Sequence, residues 1–348
     1  MDERSANRKR VAWRIAKGLL TLGILAAVAW VFVPALRDLE SSEYVWRPAW
    51  LVLSGGIYLG SLFFSVVFWV WAMRRMGQRP RWLAATRAYY VGTLGKYVPG
   101  KALAIVLRTG LVRGPQVRTG VAAYTVVYET LIYMATAAVW AVAVLGARYW
   151  EEEERLQSVI LKLSAQAGLA GALRLWQLLI AVLAVACLPT VPALYTRIIR
   201  GVVRPFQAAD SAPLPALPAA LFPGGLLIES GAWILGGLSL WAAVQAVHEI
   251  PLGALEWLEF TACLGLATVI SFFTPVPGGL GIRELVLFAL LVPQLDQGPA
   301  ALVALLFRLT WIVSEVVAAG ALYWIPVGVR GQGAGVRSQE PLSLAPDP

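Results

Sequence analysis

Gly95-Lys96-Tyr97-Val98-Pro99-Gly100-Lys101 and Pro275-Val276-Pro277-Gly278-Gly279-Leu280-Gly281-Ile282-Arg283-Glu284 decide how this sequence folds. Each stretch interrupts an apolar segment, roughly 83–113 in the first case and 254–293 in the second. Proline removes a helix hydrogen bond and disfavours helix in the residue before it. At membrane depth such a break survives only where protein or a wet cavity satisfies the freed backbone. The two segments therefore read as re-entrant helical hairpins, or else as pairs of short full spans.

Working outward from the breaks, six further runs are apolar throughout: roughly 17–36, 49–73, 119–146, 174–196, 222–247 and 299–325. Each approaches the ~20 residues needed to span a bilayer. Apolar residues make up 59% of the 348 positions and charged residues 14%, against about 25% charged in soluble domains. The expected fold is all-α: a polytopic transmembrane helical bundle forming one domain over residues 1–327. The first run follows the basic Arg8-Lys9-Arg10 and is about 20 residues long, so it reads as a retained signal anchor.

A net charge of +9 would suit a nucleic-acid partner, but membrane proteins gather Lys and Arg in cytoplasmic loops. With the N-terminus cytoplasmic, the inner segments carry 17 Lys and Arg and the outer ones 6. The acidic run Glu151 to Glu154 then faces outward, and both termini are expected on the cytoplasmic side of the plasma membrane. Residues 156–167 read as a short surface helix, 205–223 as a proline-rich linker and 328–348 as a disordered tail.

The chain reads as two copies of one plan, about 15–146 and 174–326, each with two spans, a broken hairpin and one span. Pro99 lies 50 residues after Ala49, and Pro277 lies 55 after Phe222. Glu129 then follows Pro99 by 30 residues, and Arg308 follows Pro277 by 31. Three full crossings per copy require the second copy to be inverted, a transporter plan with its site at the broken helices.

Ten charges lie inside apolar segments. At about 3 kcal/mol each they would cost roughly 30 kcal/mol if left unpaired in lipid. Most must pair, line a wet cavity or snorkel. Arg108, Glu129, Glu229, Glu284, Arg308 and Glu315 are expected to form an intramembrane network, with Glu129 and Arg308 pairing across the two copies or sharing one polar cavity, and Glu229 and Glu315 as rival partners for Arg308. Each break should also begin a half-helix whose free N–H groups favour an anion. Lys96, Pro99, Gly100, Lys101, Pro277, Gly278, Gly279, Gly281 and Arg283 are accordingly the candidate site for a phosphate-bearing lipid headgroup.

Other chemistry finds little support. Gly95 to Lys101 has most of a phosphate-binding loop, but Ala102 stands where the magnesium-binding Ser or Thr belongs. With one histidine, His248, and cysteines only at 187 and 263, both in apolar segments, no metal site, disulfide or catalytic triad can be written. No cofactor is expected.

The paired motifs also resemble a known family. Gly95 to Lys101, with Arg108 and Glu129, looks like the first half of the flippase-like proteins related to the transmembrane region of lysylphosphatidylglycerol synthases. Pro277 to Glu284, with Arg308, looks like the second half. The likeness covers nearly all of residues 15–326. The sequence runs about 22 residues beyond that, so the soluble aminoacyl-transferase domain of the synthases is expected to be absent. The resemblance implies a flippase or scramblase moving an anionic phospholipid or lipid-linked headgroup. An intramembrane lipid-phosphate transferase and a non-catalytic partner of a glycosyltransferase are the competing expectations.

Overall fold

The computed structural model describes residues 47–97, 102–149, 175–203, 214–251, 253–274 and 276–325. These form α1 (Ala49–Arg75), α2 (Trp82–Thr93), α3 (Ala102–Val112), α4 (Thr119–Tyr149), α5 (Leu175–Cys187), α6 (Pro192–Val203), α7 (Leu221–Gln245), α8 (Ala254–Phe272), α9 (Ile282–Leu295) and α10 (Gln297–Tyr323). Short 3-10 turns cover Leu94–Tyr97, Leu188–Thr190 and Pro277–Gly279, and no strand forms among the described residues. The signal anchor, the 156–167 helix, Glu151 to Glu154, Pro99, Gly100, Lys101, Pro275 and the tail lie outside the described residues.

Five helices, α1, α4, α7, α8 and α10, are long and apolar enough to cross a membrane. The outward pattern of α10 shows what surrounds them. Ala304, Arg308, Trp311 and Glu315 share its buried face, while Leu309, Val313, Val316 and Val317 are 54–63% exposed. Charge inward and bare aliphatic surface outward is the reverse of a water-facing helix, and lipid is the solvent it suits.

The long helices α1 and α7 lie antiparallel. Ser54 Oγ donates to the Ser239 carbonyl at 2.7 Å and Ser239 Oγ returns a bond to the Ser54 carbonyl at 2.8 Å. Further along, Gly231 faces Phe64 and Gly224 faces Trp71, so α7 supplies the small residues that admit the aromatic side chains of α1. Close approach through small residues, tied by interhelical hydroxyl bonds, is how helices associate where lipid removes the hydrophobic drive. At one end Arg47 N–H meets the Ala246 carbonyl at 3.2 Å.

α2 and α3 fold back on each other. Gly95 is the contact that lets them: a Cβ there would lie 2.5 Å from the Ala104 backbone nitrogen. The arms have 12 and 11 residues, about 18 Å at 1.5 Å per residue, short of a ~30 Å hydrocarbon core. The hairpin's two ends lie side by side, with Arg79 N–H bonded to the Gln116 carbonyl and Arg118 N–H to Gln78 Oε1. α8 and α9 form the second hairpin, its base closed by Gln294 Nε2 donating to Glu259 at 3.1 Å. Here the two arms are unequal. α9 has 14 residues, but α8 has 19 and reaches spanning length, which hairpins with two short arms would not provide. The first hairpin starts beside the end of α1 and the second beside the end of α7, at opposite ends of the bundle, and their tips meet in its interior.

The run predicted as one span at 174–196 is instead two helices bent by 71°. Pro189 and Pro192 are the cause, since neither can supply the N–H that would carry a straight helix past Leu188. α5 and α6 remain packed on α4: Tyr128 donates to the Thr190 carbonyl at 3.1 Å, and Tyr195 to the Tyr124 carbonyl at 2.6 Å.

Candidate functional site: a charged cavity between the hairpin tips

A cavity of about 300 Å³ lies where the two tips meet, bordered by Lys96, Arg108, Glu129, Gly278, Gly279 and Arg283, with Tyr58, Tyr89, Tyr133 and Trp311 completing its polar and aromatic wall. Each half of the sequence contributes one tip and the span that follows it. The positive-φ glycines 278, 279 and 281 shape the second tip. At Gly279 a side chain would meet the Ser271 Cβ at 2.8 Å, so the residue is needed for packing against its own hairpin arm.

The charges resolve into pairs. Arg108 Nη1 meets Glu129 Oε2 at 2.7 Å, and the guanidinium lies 3.7 Å from the centre of the Tyr89 ring. Arg308 Nε lies 3.3 Å from Glu284 Oε1, and Nη2 donates to the Gly278 carbonyl at 3.0 Å. These two pairs share one plan with the signs exchanged. In the first half the cation sits on the second hairpin arm and the carboxylate on the next span; in the second half the carboxylate is on the arm and the cation on the span. Lys96 Nζ and the Tyr58 hydroxyl both donate to Glu315 Oε1.

The expected pairing of Glu129 with Arg308 does not form. Each has a nearer partner on its own hairpin, because a span packs directly on the arm that precedes it: α3 on α4, and α9 on α10. Two other expectations change. Lys96 is engaged by Glu315 and is not a free point charge. The α9 N-terminus is not open to a ligand at its cap, since the Gly281 N–H donates to Glu284 Oε2 at 2.6 Å. An internal carboxylate thus caps the helix end and lies within ion-pair distance of Arg308.

Arg283 is different. It is 7% exposed, lines the cavity and lies 3.9 Å from the Trp311 ring centre. No carboxylate pairs with it among the described residues, and its Nη2 has no hydrogen-bond partner. Trp311 also stacks on Tyr58, with centroids 4.0 Å apart. A guanidinium held on an aromatic face, with an unused N–H beside a cavity, can take a carboxylate or phosphate oxygen. Glu229 is a further buried charge-bearing group. It sits away from the cavity wall and receives a hydrogen bond from Ser65 at 2.7 Å.

Sequence reading brought Lys96, Gly278, Gly279 and Arg283 to one place, but missed Tyr58, Tyr89 and Trp311. Their signal was available: polar-tipped aromatics deep inside apolar runs, away from the span ends where such residues usually sit. No metal-binding group of three or more His, Cys, Asp or Glu residues forms among the described residues.

A comparison with curated proteins finds no significant match. Residues 16–319 match a family model described as the lysylphosphatidylglycerol synthase TM region. That match takes in both hairpins, the cavity between them and every described charge on its wall, and the chain belongs to the lysylphosphatidylglycerol synthase TM region family.

Proposed function

We propose that this protein moves a lipid with an anionic headgroup between the leaflets of the plasma membrane, as a flippase or scramblase. The observation that carries the reading is the unmatched Arg283 on the wall of the cavity between the hairpin tips. Among the described residues, three of the four cations around the tips have a carboxylate each. The fourth is left for a ligand. The cavity's 300 Å³ suits a phosphate-bearing headgroup, while the acyl chains stay in the surrounding lipid.

The architecture supports an inverted repeat with re-entrant hairpins. Matched spans α1 and α7 run antiparallel, the hairpins start from opposite ends, and their ion pairs follow one plan with exchanged signs. Rocking of one half against the other would open the cavity to alternate leaflets. Both termini are placed in the cytoplasm; a cysteine introduced in the 328–348 tail should resist impermeant labelling of intact cells once Cys187 and Cys263 are replaced.

The test of function is translocation in proteoliposomes of fluorescently labelled phosphatidylglycerol, with labelled phosphatidylcholine as the neutral-headgroup comparison. Phosphatidylglycerol should move faster. Arg283→Ala should abolish that preference and Arg283→Lys should retain part of it, since lysine keeps the charge and loses the planar fork. Unchanged transport by a folded variant with alanine at 96, 101 and 283 would refute the site.

A further inference from the structure

Glu229 lies within the long apolar helix α7 and is fully buried. Its Oε2 accepts from Ser65 Oγ at 2.7 Å; its Oε1 has no partner. No cation pairs with it among the described residues. An isolated carboxylate so placed has a large desolvation cost, and a protein keeps such a group where protonation is part of its work.

The surroundings offer a route. The hydroxyl of Ser65, on α1, also lies beside the Tyr89 hydroxyl on α2. Tyr89 donates to Glu129 Oε1 at 2.8 Å, and Glu129 lies on the cavity wall with Arg108 on its other oxygen. Two hydroxyls, each bonded to one carboxyl group, therefore stand between Glu229 and Glu129, and one guanidinium holds Glu129. The groups whose fields reach Glu229 are Glu129 and Tyr133 on α4, Tyr89 on α2 and Arg108 on α3. On α10, Arg308 and Glu315 are engaged by Glu284 and Lys96; on α8, Glu259 bonds with Gln294.

Counting protons along this string is informative. With Glu229 ionised, Ser65 donates to Glu229 and Tyr89 donates to Glu129, so no proton lies between the two hydroxyl oxygens. With one proton added, every link has its own: Glu229 donates to Ser65, Ser65 to Tyr89, and Tyr89 to the Glu129 carboxylate. We propose that Glu229 is a proton-binding site exchanging with the cavity along Ser65, Tyr89 and Glu129, and that lipid movement is coupled to its loading. A proton arrives from cavity water on Glu129, and both hydroxyls turn toward Glu229. Glu129 then passes its proton to Tyr89, Tyr89 passes its own to Ser65, and Ser65 passes its own to Glu229. Each hydroxyl gains one proton and loses one, and Glu129 is again ionised beside Arg108. The coupling rests on the transporter reading; the proton site does not.

Infrared pH-difference spectra of the purified protein test the site directly. A buried carboxyl C=O band should titrate in the wild type and be lost in Glu229→Gln, and Ser65→Ala should move it by removing its hydrogen bond. After a pH jump, Tyr89→Phe should slow the band's appearance by about a hundredfold, the lower end of what a positioned proton-transfer group contributes. A band unaffected by both Glu229→Gln and Ser65→Ala overturns the site, and wild-type kinetics in a folded Tyr89→Phe overturns the path. In proteoliposomes, wild-type movement of labelled phosphatidylglycerol should depend on pH and that of Glu229→Gln should not; identical pH profiles overturn the coupling. Lipid that stays immobile at every pH beside a normal band would refute the transporter reading, and the coupling with it, while leaving the proton site standing.

Discussion

Removing a buried cation should stabilise this protein at one position and destabilise it at another. Arg283→Met is expected to raise thermal stability in detergent free of anionic lipid. Arginine deep in a bilayer costs ~3 kcal/mol on insertion scales, and a desolvated guanidinium on an aromatic face regains ~2 kcal/mol. Arg283 has the second and no carboxylate, so methionine should gain about 1 kcal/mol, or about 2 °C in Tm for a chain of this size. Arg308→Met removes the partner of buried Glu284 and the donor to the Gly278 carbonyl. Breaking such a pair costs about 3–5 kcal/mol, or roughly 6–10 °C on the same scale. The two variants therefore differ in sign, and a thermal size-exclusion assay resolves them. Added phosphatidylglycerol should then stabilise the wild type, by about 2.7 kcal/mol at a hundred times its Kd, and not Arg283→Met. An Arg283→Met protein as unstable as Arg308→Met would refute the claim that Arg283 is kept for a ligand.

Glu129→Ala should cost about 3–5 kcal/mol by stranding Arg108, and the exchange of Arg108→Glu with Glu129→Arg should recover part of it in chemical denaturation. Gly95→Ala should destabilise the first hairpin by about 1–3 kcal/mol, because its Cβ would meet the Ala104 backbone; wild-type thermal stability in that variant would contradict the packing. The loop pair Arg47–Glu249, 2.7 Å apart and exposed, gives a small pH effect. The hydrogen bond from Arg47 holds Glu249 below its ordinary value of 4.5, so its contribution is present above that pH and is lost as pH falls through the lowered value. The same hydrogen bond and the charge of Glu249 raise Arg47, whose contribution would be lost only in strong base. Arg47→Ala should remove this pair's small share of the acid-side dependence of unfolding and leave neutral-pH stability nearly unchanged.

Much of the fold was legible because length and hydropathy act locally. Helices α1, α4, α7 and α10 fall within a few residues of the apolar runs that predicted them. The site was legible in part: Pro-Gly breaks mark hairpin tips, so Lys96, Gly278 and Arg283 could be grouped before any contact was known. The run at 174–196 was read as a single span, and the 71° bend within it was missed because hydropathy alone does not register one, although Pro189 and Pro192 were in view. α8 was read as a short arm because the break at Pro275 to Gly279 gives the end of a helix and not its depth.

The sequence by itself determined a membrane bundle, its two interruptions and the need to neutralise ten charges within apolar segments, since lipid gives an unsatisfied backbone or charge no other outcome. Partner choice was decided only by the tertiary structure. Glu129, Glu284 and Glu315 are chemically alike, and Arg308 could have met any of them; the packing of each span against its own hairpin arm gave it Glu284. Ion pairing acts over a few ångströms, so a shift of one helical turn would redistribute every partner. Among the described residues, that packing left Arg283 without a carboxylate and Glu229 without a cation.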